Sequence, residues 1–141
     1  MTSIRIITRR LAHGERGSTL VEFAIASMMF FTVIFGTIEF TLAVWRYNMV
    51  SDLAQEGARY ASVHGAGSTT PLTSGNVQTY VQSRSLGLTV SAVTTPDGAP
   101  GGLAAGSPVT VVVTSSFTPM AGMLPGGTIT LTSTAKMIMT K

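Results

Sequence analysis

Arg16-Gly17-Ser18-Thr19-Leu20-Val21-Glu22-Phe23-Ala24 is the stretch on which the reading of this 141-residue chain turns. A glycine closes a basic head, and a lone carboxylate stands five positions beyond it, at the mouth of a long apolar run. From Phe23 to Ile38 there are 16 residues without a charge, and between Ser18 and Trp45 only Glu22 and Glu39 interrupt. At ~1.5 Å per residue, Ser18 to Glu39 rises about 32 Å, close to the ~30 Å hydrocarbon thickness of a bilayer. An acid inside that zone costs about 2.5–3.5 kcal/mol on insertion scales, which makes Glu22 a functional candidate by default, although at about 6 Å inside Ser18 it is also within snorkelling reach of the cytoplasmic face. Glu39 falls near the far interface, where a carboxylate can reach water. Trp45, Arg46 and Tyr47 follow at the place of an aromatic belt and a snorkelling base.

Bulk composition agrees with a membrane segment plus a small domain. Apolar residues make up 45% of the chain and charged ones only 11%, against about 25% charge in soluble domains. The net charge of +3 invites a nucleic-acid reading, but its position argues against one. Arg5, Arg9, Arg10 and Arg16 face one acid, Glu15, in the head. Beyond Gly17, five basic residues balance five acidic ones, whereas a phosphate-binding patch would lie on the folded part. Residues 1–17 therefore read as a basic cytoplasmic leader that holds this end inside by the positive-inside rule. An ordinary secretory signal has a shorter apolar region of about 7–15 residues and a small-residue cleavage site. Here the run is longer, and Glu39-Phe40 follows it, so a retained transmembrane helix over 18–45 is expected.

From Tyr47 onward the pattern turns amphipathic. Val50, Leu53, Ala54, Gly57, Tyr60 and Ala61 recur at helical spacing, opposite Asn48, Ser51, Asp52, Gln55, Glu56 and Arg59. This predicts a continuation over 46–64 that lies on a packed core, with Glu56 and Arg59 able to pair. Gly57 costs up to ~1 kcal/mol relative to alanine in a helix, and close approach of the globule's backbone would compensate. His64-Gly65 ends the helix. Residues 65–141 then form a small extracytoplasmic α+β domain. Ser74 or Asn76 caps a short helix reaching Arg84. Period-two alternation follows at Leu88–Ala92, at Val109–Val113 with Phe117 in register, and at Ile129–Met139, separated by loops at 96–106 and 119–127. The threonines of the last run face water. The expected fold is α+β and pilin-like: one long helix packed on a three-stranded antiparallel sheet.

Catalytic chemistry is not legible. The chain has no cysteine and two histidines, His13 and His64. No metal site, cofactor or small-molecule substrate is expected. Asp52 and Glu56 share a solvated helical face with Arg59 nearby. Neither a nucleophile elbow nor a histidine-paired serine is present. The glycines of 98–106 resemble a phosphate loop in composition only.

With these residues placed, the chain resembles the TadE-like family, pilin-like subunits of the bacterial tight-adherence (Flp) pilus machinery. Three blocks carry the resemblance: Arg16 to Ala24, then Gly36-Thr37-Ile38-Glu39-Phe40, then Gln55-Glu56-Gly57-Ala58-Arg59-Tyr60-Ala61-Ser62. The Val-rich strand ending in Phe117-Thr118-Pro119 is a weaker echo. Family members commonly carry a proline where this chain has Met28, so a straighter helix is expected here.

The resemblance implies a mechanism. A membrane-embedded prepilin peptidase would cut between Gly17 and Ser18, because a residue without a side chain enters a crowded cleft readily. Glu22, with Phe23 beside it, would take part in filament assembly by meeting the new Ser18 amine of a neighbouring subunit. The implied partners are other pilin and pseudopilin subunits, the inner-membrane platform of the pilus machine, and membrane lipid, with no nucleic acid. The implied place is the bacterial inner membrane, crossed once, with possible entry into a surface pilus. A minor pilin or pseudopilin is the first expectation. An uncleaved membrane-anchored accessory protein with an extracytoplasmic partner-binding domain is the second.

Overall fold

Ala54, Gly57, Ala58 and Ala61 place four small residues along one stripe of a helix, and that stripe decides how closely a sheet can approach it. A computed structural model describes residues 14–70, 72–95, 103–120 and 127–140. Helix α1 runs unbroken from Gly14 to Ser62, 49 residues or about 73 Å. It passes Met28 without interruption. It begins four residues ahead of Ser18, so residues 14–17 of the expected leader are already helical; residues 1–13 lie outside the described part.

The second half of α1 is the core element. Val50, Leu53, Ala54, Ala58 and Ala61 are buried, while Asn48, Asp52, Gln55 and Arg59 are exposed. This is the stripe read from the 3.6-residue period, with Ala58 added to it and Tyr60 only partly buried. Against it lie strands β1 (Val90–Thr95), β2 (Pro108–Phe117) and β3 (Ile129–Ile138), antiparallel in the order β1-β2-β3. The register keeps every second residue inward. Ala92 pairs with Val113, Thr94 with Val111, and Val111 in turn with Ala135. Val109, Val111 and Val113 form the buried spine, and Thr130, Thr132, Thr134 and Lys136 face outward from β3. The expected α+β arrangement of a long helix on a three-stranded antiparallel sheet is the observed one.

Gly57 is tightly enclosed, but by side chains rather than by backbone. A Cβ there would stand 3.0 Å from Val81 Cγ2 and 3.2 Å from Val111 Cγ1. Val81 belongs to helix α2 (Ser74–Arg84), which crosses α1 and buries Val77 and Val81. The cap of α2 is Thr73 rather than Ser74 or Asn76. Thr73 has extended backbone angles, and its hydroxyl accepts from the Asn76 N–H at 3.2 Å. The Ser74 hydroxyl is engaged elsewhere, accepting from the Thr94 N–H at 3.3 Å.

That bond belongs to a series. Ser74, Gln78 and Gln82 recur every four residues on α2 and lie along the outer edge of β1. Gln78 Nε2 donates to the Val90 carbonyl at 2.7 Å, and its Oε1 accepts from the Ala92 N–H. Gln82 Nε2 donates to the Leu88 carbonyl at 2.9 Å, and its Oε1 accepts from the Val90 N–H at 3.3 Å. Four helical residues advance ~6 Å and two strand residues ~6.6 Å, so the rungs stay in step. An edge that would otherwise expose unpaired backbone groups is closed by side chains.

The far end of the sheet is tied to the end of α1. Met139 N–H bonds the Ser107 carbonyl at 2.9 Å, and Thr140 N–H bonds the Ser62 carbonyl at 2.8 Å. Within the loop expected over 96–106, residues 96–102 lie outside the described part, as do 121–126 of the turn after β2.

Candidate functional site

The first half of α1 carries no covering layer over most of its length. Leu20, Phe23, Met28, Met29, Phe30, Phe31 and Val33 are all exposed, and Gly17, Ser18 and Glu22 are exposed with them. A water-facing helix does not present this surface. Its threonines are already satisfied: Thr32, Thr37 and Thr41 donate to the carbonyls four residues back at 2.7–2.8 Å. The helix thereby meets the rule that polar groups in hydrocarbon find partners within their own segment. It is long and apolar enough to cross a membrane, with a mean hydropathy of 1.9 over its best window.

Ser18, Glu22, Ile25 and Met29 fall on one face of this helix, with Gly17, Val21 and Ala26 beside them. Glu22 is the single charge there. Gly17 sits inside regular helix with open space where a Cβ would be.

Glu39 differs from its expectation. Its neighbours Ile38 and Phe40 are exposed, but Glu39 itself is only 4% exposed. The carboxylate is enclosed by protein instead of being open to solvent. Trp45 and Tyr47 remain about half exposed. The Arg46 guanidinium lies over the Phe117 ring, 5.1 Å from its centroid. A residue read as an interfacial anchor is thus held by the tip of β2 in a cation–π contact.

The Glu56–Tyr60 block forms a separate cluster at the crossing of α1 and α2. Tyr80 donates its hydroxyl to Glu56 Oε2 at 3.0 Å, and Arg84 Nη1 stands 3.9 Å from the same oxygen. Among the described residues Glu56 forms its ion pair with Arg84, and not with Arg59 as anticipated. The α2 side chains reach it across the helix crossing. Tyr60 stacks on Tyr80 at 4.4 Å and on His64 at 3.9 Å between centroids. His64 Nδ1 donates to the Tyr60 carbonyl at 2.7 Å. Desolvation raises the Tyr80 pKa above its ordinary value. The Glu56 hydrogen bond and charge add to this, while Arg84 and Arg59 pull the other way. Gly57 and Ala58 face inward from the block, and Arg59 faces out.

These sets are not brought together. Ser18 and Glu56 are separated by about 57 Å of helix, so the apolar half and the packed half act as different surfaces. Among the described residues no three His, Asp or Glu side chains gather as a metal site would require. Sequence reasoning missed Tyr80, Arg84, Gln78 and Phe117. Tyr80 and Arg84 stand four apart on a short helix, which was the one available signal.

A bare apolar half-helix continuing into a packed half that carries a small sheet defines a helix-anchored α+β protein. Residues 17–59 match the family described as TadE-like protein, so along α1 this chain is similar to TadE-like proteins. The match holds the middle block whole, begins one residue inside the first and stops at Arg59 within the third, ahead of the sheet domain. Neither the curated proteins nor the solved structures compared with the chain give a match.

Proposed function

We propose that this chain is a pilin-like accessory subunit, a minor pilin or pseudopilin, of a tight-adherence pilus. Its helix crosses the inner membrane with the basic leader in the cytoplasm and the sheet domain outside. A prepilin peptidase removes the leader after Gly17, and the subunit then joins other pilin-like subunits at the membrane platform. The observation that carries this reading is the exposed apolar face of α1 with Glu22 on it, inside the segment that matches TadE-like proteins. Such a face needs lipid before assembly and other helices afterwards.

Cleavage gives Glu22 its role. It creates an ammonium at Ser18, and an acid at the matching depth of a neighbouring helix can pair with it. Buried pairs of this kind add little net stability, but losing one partner costs about 3–5 kcal/mol, so they enforce register.

The continuity of α1 through Gly17 favours a second reading, an uncleaved anchor whose outer domain binds a partner. Peptide cleavage needs an extended backbone, so the peptidase must unwind the first turn of this helix. Glycine there lowers the cost, being about 1 kcal/mol poorer in a helix than alanine. The test is the N-terminal sequence of the protein recovered from membranes of cells with an active prepilin peptidase. A chain beginning at Ser18 is the expected result. Retention of Met1 to Gly17 selects the uncleaved anchor.

A further inference from the structure

The two edges of the sheet are finished differently. On β1 the backbone groups of Val90, Ala92 and Thr94 turn outward to Gln78, Gln82 and Ser74. Ser91 and Val93 are left to bond their partners Thr114 and Val112 on β2. Backbone direction alternates along a strand, so Val109, Val111, Val113 and Ser115 turn to β3, opposite Met137, Ala135, Ser133 and Leu131. The residues beyond keep step: Met139 donates inward to the Ser107 carbonyl, and Thr140 donates outward to the Ser62 carbonyl. Thr130, Thr132, Thr134 and Lys136 therefore turn both N–H and C=O away from the sheet. Among the described residues nothing bonds those groups.

This open edge lacks the usual protection. The strand holds no proline, and its register with β2 runs through every pair without a bulge. Lys136 is its single charge, where natural edges are guarded by charges, prolines, bulges or a cover. The inner row beneath the edge is unfinished as well. Val109, Val111 and Val113 on β2 are fully buried, while Ile129, Leu131, Ala135 and Met137 on β3 are only half-buried.

A second copy of this chain fits the edge poorly. Strand β3 starts opposite Phe117, which lies under Arg46, and leads to Thr140, bonded at Ser62. It runs in the same sense as α1. On the reading of α1 as a membrane helix, copies anchored in one bilayer point β3 the same way and cannot pair it antiparallel. Parallel pairing across a two-fold axis would set each outward amide against its own copy, which the slanted bonds of a parallel ladder do not allow.

We propose that the free edge of β3 is a strand-addition site for an extended segment of another protein, paired antiparallel along residues 130–136. The chemistry of that segment follows from the edge. Every second side chain is apolar and completes the inner row beside Leu131, Ala135 and Met137. The others are small and hydroxylic against the threonine row, with an acid opposite Lys136.

The probe is a fluorescein-labelled peptide as long as β3, alternating valine and threonine with one central glutamate. Facing residues of an antiparallel pair share a face, so its threonines turn their amides to β3 and its valines turn theirs away. N-methylation of the valines stops the peptide stacking on itself and leaves the pairing edge intact. N-methylation of the threonines blocks pairing at equal composition. Fluorescence anisotropy is read against the full chain in detergent micelles. The valine-methylated peptide is expected to bind saturably, and the threonine-methylated one about ten-fold weaker, as the loss of one or two net hydrogen bonds dictates. Thr132→Pro removes an outward N–H without touching the β2 ladder and should weaken binding to a similar degree. Lys136→Glu, an exposed change, should weaken it by repelling the peptide's glutamate. Absence of binding, or equal binding of the two peptides, overturns the proposal. So does a dimer of the chain in micelles that Thr132→Pro dissolves, since a second copy then holds the edge. Peptide binding does not require removal of the leader, so retention of Met1 to Gly17 would end the pilin reading and leave this inference standing.

Discussion

The Tyr80 hydroxyl donates to Glu56 Oε2 at 3.0 Å, joining α2 to the long helix across 24 positions of sequence. Glu56 belongs to the block that the chain shares with TadE-like proteins, whereas Tyr80 lies outside the matched segment. The bond couples the anchor to the particular domain it carries.

That bond sets an alkaline limit on stability. The Tyr80 pKa is raised in the folded chain, so its contribution is complete below the ordinary tyrosine value, about 10. It is lost as pH rises through the raised value, where the phenolate would face the Glu56 carboxylate without a proton. Tyr80→Phe is expected to cost about 0.5–1.5 kcal/mol at neutral pH and to flatten the alkaline decline. Ultraviolet titration of phenolate in a Tyr47→Phe, Tyr60→Phe background, with denaturation across alkaline pH, checks both.

Gly57→Ala sets two effects against each other. Helix propensity favours alanine by up to ~1 kcal/mol, but the new Cβ meets Val81 and Val111 at 3.0 and 3.2 Å. Both neighbours are stiff γ-methyls in a closed core, where overpacking costs about 1–3 kcal/mol. We expect net destabilisation of up to about 2 kcal/mol in urea denaturation of the detergent-solubilised protein. Combining it with Val81→Ala should cost less than the two changes summed.

Gln78→Ala strips the middle rung from the β1 edge, leaving the Val90 carbonyl and the Ala92 N–H without their partner. Each unsatisfied group costs about 1–3 kcal/mol where water is excluded, and a bared edge recruits other strands. A lower denaturation midpoint with a rise in light scattering is expected. Thr79→Ala, whose exposed hydroxyl bonds only the Gly75 carbonyl among the described residues, should stay within ~0.5 kcal/mol.

Glu22→Ala is expected to leave removal of the leader intact and to impair incorporation into pili, measured as subunit recovered in the sheared surface fraction. Unchanged incorporation would end the ion-pair role. Gly17→Val, by contrast, should block removal of the leader itself, read as the mass of the membrane form.

Much of the architecture was legible because it rests on period alone. The buried stripe Val50, Leu53, Ala54, Gly57 and Ala61 is a one-dimensional pattern, and so is the inward row Val109, Val111 and Val113. Both appear in the structure on the faces that the pattern assigns. The cap of α2 was misread because Thr73, Ser74 and Asn76 are all capable of capping. Backbone angles and a competing bond from Ser74 to β1 decide among them. The burial of Glu39 was not legible for a related reason: distance along a helix gives depth, but burial depends on what folds back against it.

The sequence by itself determined a long helix with an apolar half, an amphipathic half and a three-stranded sheet behind it, because periodicity and uninterrupted apolar length are local properties. Only the tertiary structure decided that Glu56 faces Tyr80 and Arg84 rather than Arg59, that Gln78 and Gln82 close the β1 edge, and that Arg46 rests on Phe117. Each of those contacts joins residues far apart in the chain. Their partners are chosen by how α2 and the hairpin cross the helix, and no spacing in the sequence encodes a crossing.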